Sequence, residues 1–145
     1  MDRPPARWLM RLQWRAHRLV WMVSGGRLGR RAIGMPVLEL VTTGWRSGEP
    51  RSILITYVET SSGPALAGTN AGASADPAWV KNLRAHPRAR VRQAGRWREV
   101  DARFAEGVEW QEIWDLFRVL PGYSDYERIL TRPIPLVVLD TPSAS

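Results

Sequence analysis

Residues 37–58 read VLELVTTGWRSGEPRSILITYV, and the fold follows from how this stretch alternates in character. VLELV (37–41) and ILITYV (53–58) are short runs rich in branched residues, the composition of strands. Between them Thr43-Gly44-Trp45-Arg46-Ser47-Gly48 is turn-like and far too short for a helical crossover. Strand follows strand. Further along, PALAG (64–68) reads as a weaker strand. Asp76-Pro77 supplies an N-cap and a proline at the first helical position, opening a helix that runs to about Ala85. RARVRQ (88–93) and RWREVDARF (96–104) flank Ala94-Gly95 as a hairpin, with Val91, Trp97, Val100, Ala102 and Phe104 marking the alternation. Residues 107–119 form an amphipathic helix whose apolar members are Val108, Ile113, Trp114, Phe117 and Val119. A loop with Tyr123 and Tyr126 follows, and IPLVVL (134–139) is a closing strand. Six strands without regular crossovers disfavour a doubly wound parallel sheet. They point to an α+β, mainly β fold, a six-stranded antiparallel barrel with helices packed outside it.

Ahead of the barrel, residues 7–23 (RWLMRLQWRAHRLVWMV) have helical periodicity. Leu9, Leu12, Ala16, Leu19, Val20 and Val23 share one arc, while Arg7, Arg11, Arg15 and Arg18 lie opposite, flanked by Trp14 and Trp21. The pattern serves a helix packed on the core, and equally one lying on an anionic membrane surface. Three regions result: a basic N-terminal helix and linker (1–35), the barrel domain (36–140) and a short tail (141–145).

The 145 residues suit one domain, at 44% hydrophobic and 24% charged. Cysteine is absent, which excludes disulfides, thiolate catalysis and cysteine-ligated metal, and with only His17 and His86 no metal site is expected. No apolar run approaches the ~20 residues of a membrane span, and arginines interrupt the N-terminus where a secretory signal would be apolar. The expectation is a cytoplasmic protein with a route to the inner face of the cell membrane through residues 7–23. Of the 21 cationic side chains all but Lys81 are arginine, and the net charge is +7. Such an excess favours an anionic partner. Nucleic acid is not expected, because the arginines scatter over several elements and no recognition motif appears. Nothing in the sequence decides between monomer and dimer.

Familiar catalytic patterns are missing: GxSxG, a Walker loop, HExxH, or GxGxxG after a strand. Three other segments stand out. TTGWRSGEPRS (42–52) places Arg46 and Arg51 on either side of a turn with Ser47 and Ser52 nearby, groups suited to phosphate or carboxylate and also to a solvated hairpin tip. Gly68-Thr69-Asn70-Ala71-Gly72-Ala73 is small and polar and leads into a helix. LPGYSDYERI (120–129) sets Tyr123 and Tyr126 at i, i+3, able to line a pocket, donate a proton or cap the core.

Together these segments resemble, in order, three elements of the deazaflavin-dependent nitroreductase family: TTGRKSGxxR, SNGGxxxxPxWxxNLxxxPxVxV and PxYxxYxxxTxRxIPxxxLE. The likeness covers residues 36–140, and the spacing Pro77, Trp79, Asn82, Leu83 is intact. It implies a split β-barrel like those that bind FMN, with the deazaflavin coenzyme F420 as redox partner. That coenzyme carries an anionic phosphodiester and oligoglutamate tail. By resemblance, Arg46, Ser47 and Arg51 hold the tail. The strand Ser52, Ile53, Leu54, Ile55, Thr56 runs along the coenzyme, and Gly68, Thr69 and Asn70 lie near its polar portions. Ala78, Trp79 and Asn82 close one side. Tyr123 and Tyr126 face the substrate above the deazaflavin ring, Tyr126 as hydrogen-bond donor. The activity implied is hydride transfer to a hydrophobic, electron-poor acceptor, a quinone or a nitroaromatic. A non-catalytic barrel holding a lipid or fatty acid at the membrane surface is the alternative. Trp45, Asn70 and Leu120 depart from residues common in the family.

Overall fold

A computed structural model describes residues 35–142, so the helix expected over 7–23, the linker to residue 34 and residues 143–145 lie outside the described residues. Seven strands form one sheet: β1 (Val37–Thr43), β2 (Pro50–Thr56), β3 (Val58–Thr60), β4 (Gly63–Ala67), β5 (Arg88–Gln93), β6 (Arg96–Phe104) and β7 (Leu136–Asp140). Three helices accompany them: α1 (Ala78–Ala85), α2 (Gly107–Arg118) and α3 (Tyr123–Ile129). Every strand pairing is antiparallel.

The sheet order β2-β1-β5-β6-β7-β4-β3 explains the curl. Its two edge strands are consecutive in sequence and joined by Tyr57 alone. Laid flat, the edges would stand six spacings of about 4.8 Å apart, which one residue cannot bridge. The sheet therefore rolls until its edges meet at Tyr57, whose ring is buried inside and whose N–H donates to Pro36 O at 3.2 Å. Away from that junction, Gln93 at the end of β5 donates to Glu59 of β3 at 2.7 Å. The result is a split barrel. Counting seven strands where six were expected reflects this one bend, which divides the ILITYV run between two pairing partners.

Alternation along the strands separates two cores. Leu38, Leu40, Tyr57, Leu66, Val91, Val100, Val137 and Leu139 fill the barrel, and Trp79, Val80 and Leu83 of α1 plug its mouth. On the outside Ala65, Ala67, Leu136 and Val138 meet Ile113, Trp114 and Phe117 of α2, with Tyr123 and Tyr126 of α3 packed at the margin. Fully burying a side chain such as Phe117 contributes about 2–3 kcal/mol. Arg103 of β6 donates to Glu109 of α2 and to Asp140 of β7 (2.8 Å), which draws the Glu109 carboxyl below its usual range. Trp114 Nε1 and Arg118 both donate to Glu127, tying α3 to α2.

Local departures have plain causes. Helix α1 begins at Ala78 with Pro77 as its N-cap, one residue later than expected, because the Asp76 carboxylate accepts from Arg132 Nη1 at 2.8 Å and caps nothing. Tyr123 and Tyr126 stand on a helix and not in a loop. Val108 and Val119, counted as apolar members of α2, are 75% and 79% exposed, since they share the helix face carrying Glu112 and Asp115.

Candidate functional site

The β1–β2 connection is a tight bend. Gly44 N–H donates to Glu49 O at 2.8 Å and Gly48 N–H to Gly44 O at 2.9 Å, with Gly48 left-handed at φ +72°. Arg46, Ser47 and Arg51 all lie exposed on it. Arg51 Nη2 donates to Ser47 Oγ at 3.4 Å, and the Arg46 guanidinium lies 4.3 Å from the centre of the Trp45 ring. Lys81 of α1 approaches the same ring at 5.9 Å. Among the described residues none of these three cations has a carboxylate partner. A cleft of about 350 Å³ adjoins the bend, lined by Val41, Thr42, Thr43, Gly48, Pro50, Arg88, Ala89 and Arg90.

Neither phenol lines that cleft, so what links the bend to α3 is strand β2 itself. Arg51 and Thr56 are five residues apart, about 16 Å of extended chain. Pleating splits the strand between two faces. Ile53 and Ile55 pack against the barrel interior and can offer a ligand main chain only. Ser52, Leu54 and Thr56 share the outer face with Glu39 and Val37, to which they are adjacent or paired. Leu54 and Thr56 are buried there, and Ser52 Oγ donates to Glu39 at 2.6 Å.

At the far end two phenols converge on two threonines. The Tyr123 hydroxyl meets the Thr56 side chain and the Tyr126 hydroxyl meets that of Thr69. The rings stand edge to face, 5.8 Å apart at 80°. Burial pushes the Tyr123 phenol up to about 12, only partly offset by Thr56, and it also raises Tyr126. Both therefore stay protonated near neutrality and can donate a hydrogen bond. Asn70 lies partly exposed beside Thr69, and Ala78 is exposed at the start of α1.

Of the residues expected along the coenzyme, Leu54, Thr56, Gly68, Thr69, Trp79 and Asn82 are buried, and the last two and Gly68 have defined contacts inside the protein. Asn82 is 3% exposed: its Nδ2 donates to Thr42 Oγ1 and its Oδ1 accepts from Trp45 N–H, both at 2.9 Å. It holds the bend to α1, so any effect on a ligand acts through Trp45 and Arg46. Trp79 is a core residue plugging the barrel mouth. Gly68 is buried, and a Cβ there would come within 2.7 Å of Pro135 Cγ and 2.9 Å of Val80 Cγ2. One important residue had no role assigned from the sequence. Arg132 grips the 69–76 loop through three hydrogen bonds, although the arginine of the TxRxIP element was there to be seen.

The donor set fits an elongated anionic coenzyme: cations without a carboxylate partner among the described residues at one end of β2, and neutral hydroxyl donors on two edge-to-face phenol rings at the other. No helix among the described residues is long and apolar enough to cross a membrane, and no cluster of metal-ligating side chains occurs among them.

Comparison with known proteins agrees. An F420H(2)-dependent quinone reductase of Mycobacterium tuberculosis is 28% identical over 130 residues, 86% of this chain and 87% of that protein. A solved F420-H2 dependent reductase, FDR-A, superposes with a TM-score of 0.66 at 28% identity, covering 72% of this chain and 94% of its own. A structure described as a domain-swapped dimer gives 0.69 at 26% identity, covering 87% and 96%. HutZ, a heme storage protein of Vibrio cholerae, shares the fold alone, at 15% identity and 0.58 over 79% of this chain and 87% of its own. Residues 13–141 match the F420H(2)-dependent quinone reductase family, and the chain belongs to that family.

Proposed function

We propose that the chain is an F420-dependent oxidoreductase that passes a hydride from the reduced deazaflavin to a hydrophobic, electron-poor acceptor of the quinone class. The observation that carries this reading is the arrangement along β2, with cations that lack a carboxylate partner among the described residues at one end and two phenols at the other. Family membership supports the coenzyme and the acceptor class. We assign the phosphate and oligoglutamate tail to Arg46, Ser47 and Arg51, with Lys81 as a fourth group on the same bend. The body of the coenzyme follows β2 from Ser52 through Ile53, Leu54 and Ile55, largely by main chain. Its ring lies toward Thr56, Thr69, Asn70 and Ala78 with α3 above it. When bound, the reduced ring supplies the hydride and a planar face against which an acceptor stacks.

The chain itself contributes alignment, exclusion of water and a hydrogen-bond donor. Tyr123, the more deeply buried phenol, walls the acceptor space. Tyr126 is the catalytic residue of this reading: its hydroxyl turns from Thr69 to the acceptor oxygen. A quinone that gains a hydride needs one further proton to become the hydroquinone, and Tyr126 stabilises the developing oxyanion while solvent restores the proton. We place the reaction in the cytoplasm at the inner membrane face, where a hydrophobic quinone partitions, with residues 7–23 as the contacting segment.

Mixing the protein anaerobically with reduced coenzyme and a water-soluble quinone tests the assignment by the return of oxidised coenzyme. Tyr126→Phe should lower kcat by about ten- to a hundredfold with coenzyme affinity unchanged. Unaltered turnover in that variant would make the phenol a mere roof, and no turnover in the wild type would remove the reductase reading altogether.

A further inference from the structure

Asn70, Ala71 and Gly72 take φ of +49°, +53° and +82° in succession, a left-handed turn in which two residues carry a Cβ. Left-handed backbone is costly for such residues and persists only where the surroundings impose it. Inside the turn Gly72 N–H donates to Thr69 O and Ala73 N–H to Asn70 O, each at 3.0 Å. The Asn70 side-chain amide adds one bond, to Ala75 O at 2.9 Å. The tie from outside comes from Arg132, in the connection between α3 and β7. Its Nη2 donates to Thr69 O at 3.1 Å and its Nε to Ala73 O at 3.2 Å, the carbonyls just before and just after the turn. Nη1 donates to Asp76 Oδ1 at 2.8 Å, and the side chain is only 14% exposed. Arg84 approaches the other Asp76 oxygen at 3.8 Å. Arg132 lies three residues beyond the end of α3, so these bonds tie the chain leaving that helix to the carbonyl of Thr69.

We propose that Arg132 is a positioning residue for the acceptor: its guanidinium ties the left-handed turn to the chain leaving α3, and so fixes the helix that carries Tyr126 against the 69–76 loop. The proposal rests on the reading of Tyr126 given above. Lysine cannot replace this arginine, because one ammonium on a flexible stem cannot serve three acceptors arranged around a rigid planar fork. Asp76 is the second half of the clamp. Its loss leaves both carbonyl bonds in place, so its effect is smaller and in the same direction.

Arg132→Met, Arg132→Lys and Asp76→Asn test this through two independent readouts. In the protein without coenzyme, amide exchange at Gly72 and Ala73 should quicken about tenfold or more in both Arg132 variants, and less in Asp76→Asn. Val91 and Val138, in the barrel strands, should exchange at wild-type rates. In turnover with reduced coenzyme and a soluble quinone, kcat/KM for the quinone should fall about tenfold in Arg132→Lys, a larger factor than the change in coenzyme Kd, because the bend that holds the anionic tail is untouched. Wild-type exchange at Gly72 and Ala73 in all three variants overturns the clamp. So does equal acceleration in the barrel strands, which would make Arg132 a general stabiliser, and so does a loss that falls on coenzyme Kd and spares the quinone. A wild-type protein that turned over no quinone would defeat the functional reading, and the exchange data would still decide the clamp.

Discussion

At Tyr123 the chemistry of a single group can be followed to a measurement. Burial raises its phenol from 10.0 to about 12. The folded state therefore keeps a proton that the unfolded chain releases above about pH 10. The resulting contribution, on the order of 2–3 kcal/mol, is complete below pH ~10 and is lost as the pH climbs through ~12. Unfolding free energies of wild type and Tyr123→Phe should diverge across that interval, the wild type falling faster. Parallel curves would mean that the hydroxyl is solvated. The sequence identified both phenols through their i, i+3 spacing. It could not show that each would find a threonine, since Thr56 and Thr69 reach them only once the edges of the sheet meet. Asn82 shows the opposite problem. Motif spacing placed it in the site, but spacing does not say which way a side chain faces, and its amide turned out to bridge Thr42 and Trp45.

Among the elements, strand identity was the most legible part, because β-branched runs separated by short turns leave little alternative. The bend at Tyr57 was not legible. ILITYV is continuous in composition, and only the sheet order reveals that its halves pair with different neighbours. The onset of α1 was misread by one residue for a related reason: Asp76 is a good cap locally, but a partner 56 residues away in Arg132 takes its carboxylate. Gly68 belongs at this scale too, since it lets the end of β4 lie against Pro135, with its N–H donating to Pro135 O at 2.8 Å. Gly68→Ala inserts a methyl where Pro135 and Val80 leave no space. We expect a loss of about 1–3 kcal/mol in chemical denaturation, with the m-value unchanged. A neutral substitution would mean that the Pro135 connection shifts freely, and the 69–76 loop with it.

For the whole molecule the informative quantity is where charge remains uncompensated. Arg103, Arg118 and Arg132 are consumed in holding helices and loops to the barrel. Among the described residues Arg46, Arg51 and Lys81 have no carboxylate partner, and together they crowd one bend and the start of α1. Their mutual repulsion is tolerated in a chain of net charge +7, and an anion at the bend would relieve it. The composition pointed to such a partner, and the fold gathers these three cations at one place where it could bind. The coenzyme's affinity should therefore weaken as salt is raised, while a hydrophobic quinone's apparent KM should be far less sensitive.

The most direct test is a fluorescence titration of coenzyme F420 into the purified full chain and its Arg51→Ala variant, each at low and high ionic strength. Saturable binding with a Kd of about micromolar order is expected, about tenfold weaker in the variant, with the difference shrinking in high salt. Absence of saturable binding by the wild type, or identical curves for the two proteins at low salt, would contradict the assignment of the anionic tail to this bend.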